Sequence, residues 1–96
     1  MALVFEWDSR KAKSNLLKHG VSFDEACTVF DSVNARIFPD EDHSNGEERE
    51  MIIGYSILDR LLLVSFTERF PDRVRIISAR KATRAERRDY EESIGI

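Results

Sequence analysis

The sequence predicts an α+β fold in which helices pack on an antiparallel sheet, in the order α-α-β-β-β-β-α. Three observations predict it. Apolar residues recur at helical spacing before residue 31 and after residue 83, while between them they fall into short runs broken by turn residues. Two N-terminal capping signatures, Ser22-Phe23-Asp24-Glu25 and Thr83-Arg84-Ala85-Glu86, mark helix starts. The chain has 96 residues, 42% of them apolar, which suffices for one core but not two, so residues 1–96 are read as a single domain.

Asp8 is placed to cap a helix over 9–19 that Gly20 ends in the left-handed conformation. In it Ala12 and Leu16 share one side with Leu17 flanking, and Lys11, Asn15 and Lys18 fall within about 60° of one another on the opposite side. A second helix begins at Ser22 with the stripe Phe23, Ala26, Cys27, Phe30. Val33 to Phe38 alternates Val33, Ala35 and Ile37 with other residues and stops at Pro39, which suits an outer strand. A polar loop over Asp40–Glu48 follows, with an Asn45-Gly46 turn. Three more strands are expected over Arg49–Ser56, Leu61–Thr67 and Arg73–Ala79, joined near Asp59-Arg60 and Phe70-Pro71-Asp72. Leu61-Leu62-Leu63-Val64 is apolar on both phases and marks a central strand. The last helix starts at Thr83 and runs toward Ile94; only Ala85, Tyr90 and Ile94 are apolar, so it is expected to be loosely held or to wait for a partner.

Composition excludes several kinds of chemistry. A lone Cys27 and two histidines cannot assemble a zinc quartet, a disulfide or a paired redox motif, and a reducing compartment is expected. Cys27 lies on an apolar helix stripe and reads as a core residue. Asp40, Asp42 and Ser44 match the first ligands of a calcium loop, but Gly46 is one position late and Met51 stands where a bidentate Glu is required. No serine lies in a nucleophile elbow, and four scattered glycines make no nucleotide loop, so neither a metal nor a cofactor is expected. The longest apolar run is far below a membrane span, and no leader is evident, so a soluble protein that is not obviously exported is expected.

The net charge of −3 conceals two unlike halves: residues 1–50 carry 6 Lys and Arg against 11 Asp and Glu, and residues 51–96 carry 9 against 7. The acidic half suits a basic protein partner, and the arginine-rich half suits phosphates, which a planar guanidinium binds in two places at once. Candidate chemistry therefore rests on Lys11, Lys18, His19, Arg69, Arg75, Arg80 and the arginines of the last helix, Arg84, Arg87 and Arg88. Cutting RNA without a metal needs a base for the 2′-OH proton, positive charge on the phosphorane oxygens and an acid for the leaving 5′-oxygen. Each residue also has a plainer reading. His19 can cap a helix end, the lysines can be solvated, and the arginines of the last helix can pair with Glu91 and Glu92. In an unbroken strand Arg75 and Arg80 lie on opposite faces, so one site holds both only if the strand turns or bulges.

The segments Trp7-Asp8, Lys11, Asn15, Lys18-His19-Gly20-Val21, Glu47-Glu48-Arg49, Phe66-Thr67-Glu68-Arg69 and Arg75-Ile76-Ile77-Ser78-Ala79-Arg80, followed by Glu86 and Tyr90, together resemble the BrnT toxin family over nearly the whole chain. The resemblance implies a RelE-like fold and the toxin of a bacterial type II toxin–antitoxin pair: a cytoplasmic, metal-independent endoribonuclease that inhibits translation, with no membrane contact. It implies a BrnA-like ribbon-helix-helix antitoxin as partner, RNA as substrate, and contact with operator DNA only through the antitoxin complex. The positions it carries over are Lys18, His19, Arg69 and Arg80 as catalytic, and Lys11, Arg75 and Tyr90 as substrate-binding. A rival expectation is a non-catalytic binding module that acts as co-repressor with a DNA-binding partner.

Overall fold

The computed structural model describes residues 3–40, 48–69 and 71–95. Within them, β1 (Val4–Glu6), β2 (Arg36–Pro39), β3 (Glu50–Tyr55), β4 (Leu61–Arg69) and β5 (Arg73–Lys81) form one sheet in the order β1-β5-β4-β3-β2. Neighbouring strands from β2 to β5 are antiparallel, whereas β1 runs parallel to β5. The expected order is thus corrected by one element: a strand precedes the first helix, and the sheet is mixed. Three residues are too few to show an alternation in the sequence, and β1 forms because the open edge of β5 offers unpaired backbone groups. The Val4 N–H donates to the Asp72 carbonyl at 2.9 Å where it enters that edge.

Helix α1 (Ser9–His19) has the expected bounds, with Asp8 accepting from the Arg10 and Lys11 amides and Gly20 closing it at φ 68°. Its rotation differs from the expectation. Asn15 is buried, while Leu16 and Leu17 are exposed. The Asn15 amide fits the unpaired edge of β5: Nδ2 donates to the Ala79 carbonyl at 2.8 Å, Oδ1 accepts from the Ala79 N–H at 3.1 Å, and Nδ2 also reaches the Val21 carbonyl. Satisfying three buried backbone groups outweighs burying one more leucine.

Helix α2 (Phe23–Thr28) keeps half of its expected capping box. The Ser22 side chain accepts from the Glu25 N–H, but the Glu25 carboxylate turns instead to Arg60 and Ser56 at the β3–β4 turn. Arg60 holds the Glu25 carboxyl below its ordinary range despite burial. A single 3₁₀ turn, Val29–Asp31, follows and passes so close to β3 that a Cβ on Gly54 would lie 3.1–3.3 Å from Ala35, Val29 and Ser32. Val33, expected in a strand, is in a turn and almost fully exposed. The polar loop is described only at its ends, Asp40 and Glu48. Asp42, Ser44, the Asn45-Gly46 turn and Glu47 lie outside the described residues, as does Phe70.

The sheet has two apolar faces. On one, Val21, Phe23, Ala26 and Val29 cover Ile52, Leu62, Val64, Phe66, Val74, Ile76 and Ala79. Trp7 meets Phe23 edge to face, and Phe30 does the same with Phe66. On the other, Ile53, Leu61 and Leu63 pack under Tyr90 and Ile94 of α3 (Arg84–Ile94). Leu61 to Val64 are buried throughout, as a central strand requires. Helix α3 has the expected start and end and a complete Thr83–Glu86 capping box. Its apolar seam is narrow, and polar contacts supplement it: Arg36 donates to the Ser93 carbonyl and Arg87 to the Tyr55 hydroxyl. No helix among the described residues is long and apolar enough to cross a membrane.

Candidate active site

The α3 side of the sheet is built from cross-strand rows. Arg36, Ile53, Leu63 and Arg80 stand opposite one another in one row; Phe38, Met51, Ser65 and Ser78 form the next, and Thr67, Arg75 and Glu6 the third. The last row is Arg69, Arg73 and Val4. Leu63 belongs to the α3 core, and the other β4 members of these rows lie two, four and six residues on, so all share its face.

A bulge makes this possible. Ser65 pairs with Ser78 and Phe66 with Ile76, which leaves Ile77 without a partner on β4. Arg75 and Arg80 are five residues apart and would otherwise lie on opposite faces. The one extra residue restores an even count and brings both to the α3 side. Arg69, Arg73, Arg75 and Arg80 therefore share one face.

Carboxylates hold the arginines of β5. Arg80 donates through Nη1 and Nη2 to the two oxygens of Glu86, at 2.7 and 2.8 Å, and through Nη1 to the Lys81 carbonyl at 3.3 Å. Glu86 also accepts the Thr83 N–H at 2.8 Å, so the cap of α3 and the clamp on Arg80 are one carboxylate. Arg80 pulls the Glu86 carboxyl down to about 2, and Glu86 in turn keeps Arg80 firmly charged. Glu6 of β1 holds Arg75 at 3.2 Å and Arg73 at 3.5 Å.

Arg80 lines a cavity of about 480 Å³ with Arg49, Asp40, Glu86, Ser65 and Ser78, floored by Met51 and Leu63 and bordered by Phe38. A second cavity of about 490 Å³ shares Phe38, Leu63 and Glu86 with it and continues between β2 and α3, past Tyr90 and Asp89. Tyr90 is buried, stacked edge to face on Tyr55 at 6.0 Å, and burial raises its phenol above the ordinary value. Arg69 is exposed near the end of β4.

Lys11, Lys18 and His19 lie elsewhere. All three are exposed on α1, and among the described residues none lines either cavity. Their link to Arg80 is Asn15, which shares the helical stripe of both lysines and binds β5 at Ala79, the residue before Arg80. Cys27 is half-buried, and burial raises its thiol to about 11, as suits a core residue.

Reading the sequence missed Arg49, Ser65, Ser78 and Phe38 as site residues and saw Glu86 as a cap rather than a clamp. The strand pairing that aligns Ser65 with Ser78 leaves no mark in any one segment, and Arg49 lies just before β3. Phe38 did leave one, being an aromatic on the other phase of the Val33, Ala35, Ile37 alternation.

Comparison with known proteins adds two findings. The family model described as "Ribonuclease toxin, BrnT, of type II toxin-antitoxin system" matches residues 7–86. The crystal structure of the Brucella abortus ribonuclease toxin BrnT superposes with a TM-score of 0.68 at 25% sequence identity, covering 86% of this chain and 100% of that one. Comparison with curated proteins gives no match.

Proposed function

The chain belongs to the BrnT family of ribonuclease toxins of type II toxin–antitoxin systems, and from that premise we propose that it is an endoribonuclease that cuts RNA without a metal, inhibits translation, and is neutralised in the cytoplasm by a BrnA-like ribbon-helix-helix antitoxin. Operator DNA is then met only through the antitoxin complex, and the architecture is read as RelE-like, with residues 1–96 acting as one domain. The observation that carries the proposal is the bulge at Ile77, which gathers Arg69, Arg75 and Arg80 on one face of the sheet.

In this reading the 2′-oxygen attacks the phosphorus, its proton passes to a base, and the 5′-oxygen departs with a proton from an acid. Arg80, held in orientation by Glu86, carries the developing charge on the phosphorane oxygens. Arg69 supports that charge, and Arg75 and Lys11 bind neighbouring phosphates. Tyr90 borders the substrate groove. Lys18 and His19 exchange the protons, which requires the RNA backbone to cross the outer edge of β5, where Asn15 holds α1.

Purified protein incubated with RNA in EDTA tests the reading. Cleavage is expected, with Arg80→Ala slower by about 10²–10³ and no longer inhibiting growth. A folded Arg80→Ala protein with full activity overturns the role of Arg80. Cleavage that EDTA abolishes and Mg²⁺ restores overturns the metal-free mechanism.

A further inference from the structure

The cavity between β2 and α3, which Tyr90 borders, shares the walls Phe38, Leu63 and Glu86 with the cavity that Arg80 lines. We propose that it is a nucleobase subsite: one base of the RNA stacks on the ring of Phe38 while the adjoining phosphate lies on Arg80. The inference rests on the ribonuclease reading and deepens it by naming what sets the sequence preference.

Phe38 is 41% exposed on the outermost strand, where an aromatic ring gains little from the core, and it joins none of the ring pairs among the described residues. The cavity beside this ring carries the guanidinium groups of Arg49 and Arg80 together with the carboxylates of Asp40 and Glu86; a ring that takes a base next to an arginine that takes a phosphate is the pairing by which single-stranded nucleic acid is held. The spacing fits. Phe38 and the β5 position in its row are three strands apart, about 14 Å at the usual strand separation. Arg80 lies in the adjoining row and its side chain lines the same cavity as Phe38, and a span of that size is within reach of one nucleotide together with an arginine side chain. Selectivity comes from the far wall, where the exposed Asp89 carboxylate is placed to accept from N–H groups on a base edge. The two cavities together therefore match one nucleotide, with guanidinium groups at the phosphate end and an aromatic slot bordered by Asp89 at the base end.

The test compares wild-type protein with Phe38→Ala, Phe38→Leu and Phe38→Trp. Its readouts are cleavage of oligoribonucleotides that differ only in the base beside the cut, and binding of their uncleavable 2′-O-methyl forms. Stacking is worth about 1–3 kcal/mol per base, so the Ala and Leu variants should lose roughly 5- to 150-fold in kcat/KM on the preferred base and should discriminate less among the four. The Trp variant should keep the preference, which a loss of folding or of plain bulk would not predict. Asp89→Asn should shift the preferred base with little change in stability. An unchanged preference in a folded Phe38→Ala protein overturns the subsite. So does antitoxin binding that fails in that variant while preference is kept, and that result assigns the groove to a protein. If wild-type protein cuts no RNA but binds the uncleavable strands in a Phe38-dependent way, the subsite stands and the ribonuclease reading falls.

Discussion

Glu86 does two jobs with one carboxylate. Its Oε1 accepts from Thr83 at the start of α3 and from Arg80, while Oε2 takes the other guanidinium nitrogen. The carboxyl titrates near 2 in the folded chain against an ordinary value of 4.5. A depressed folded pKa means that the pair's stabilisation is complete above about pH 4.5 and is lost as pH falls from there toward 2. Gln at this position still reaches the N-cap amide, so Glu86→Gln keeps the helix start and weakens only the clamp. It should lower stability by about 1 kcal/mol at neutral pH, since both partners are partly exposed, and flatten the fall in Tm between pH 4.5 and 2. Thermal melts across that range check both, and an acid limb identical to wild type would refute the linkage. The sequence made the cap legible because capping is local. The clamp was illegible because it depends on where the bulged end of β5 meets α3.

At the scale of elements, α1 and β5 are joined by a side chain that stands in for a strand. Asn15 satisfies the Ala79 N–H and C=O and the Val21 C=O in a buried position. Asn15→Ala leaves those groups unpaired and should cost about 2–3 kcal/mol in urea unfolding, with faster amide exchange at Ala79. A loss below about 0.5 kcal/mol would show that water replaces the amide at no cost. The same contact explains why the rotation of α1 escaped the sequence reading. Hydrophobic periodicity places Leu16 inward, whereas the unpaired edge of β5 demands a polar residue there, and the edge prevails. Element boundaries fared better: α1 and α3 follow their caps and glycines to the residue. The short β1 was missed because its only cause is an edge formed some 70 residues later.

For the whole molecule, the charge asymmetry of the sequence acquires a location. Arg69, Arg73, Arg75 and Arg80 stand on one sheet face, with Arg49 lining the cavity there, so an acidic chain gathers its arginines on one side. Binding of single-stranded RNA should weaken with salt by a log–log slope of roughly −0.7 per phosphate engaged, and Arg80→Ala should make that slope shallower by about the same amount. Titrations between 50 and 200 mM salt measure it; a slope near zero would remove the phosphates from the interface. The family, the limits of α1 and α3, the central strand and the residue types available for chemistry are all legible from residue order, because each is written in local spacing or in a contiguous motif. Which of those residues meet depends on how the strands pair. A single unpaired residue, Ile77, sets the face on which Arg80 lies, and a bulge is defined by the pairing of two strands rather than by the composition of either.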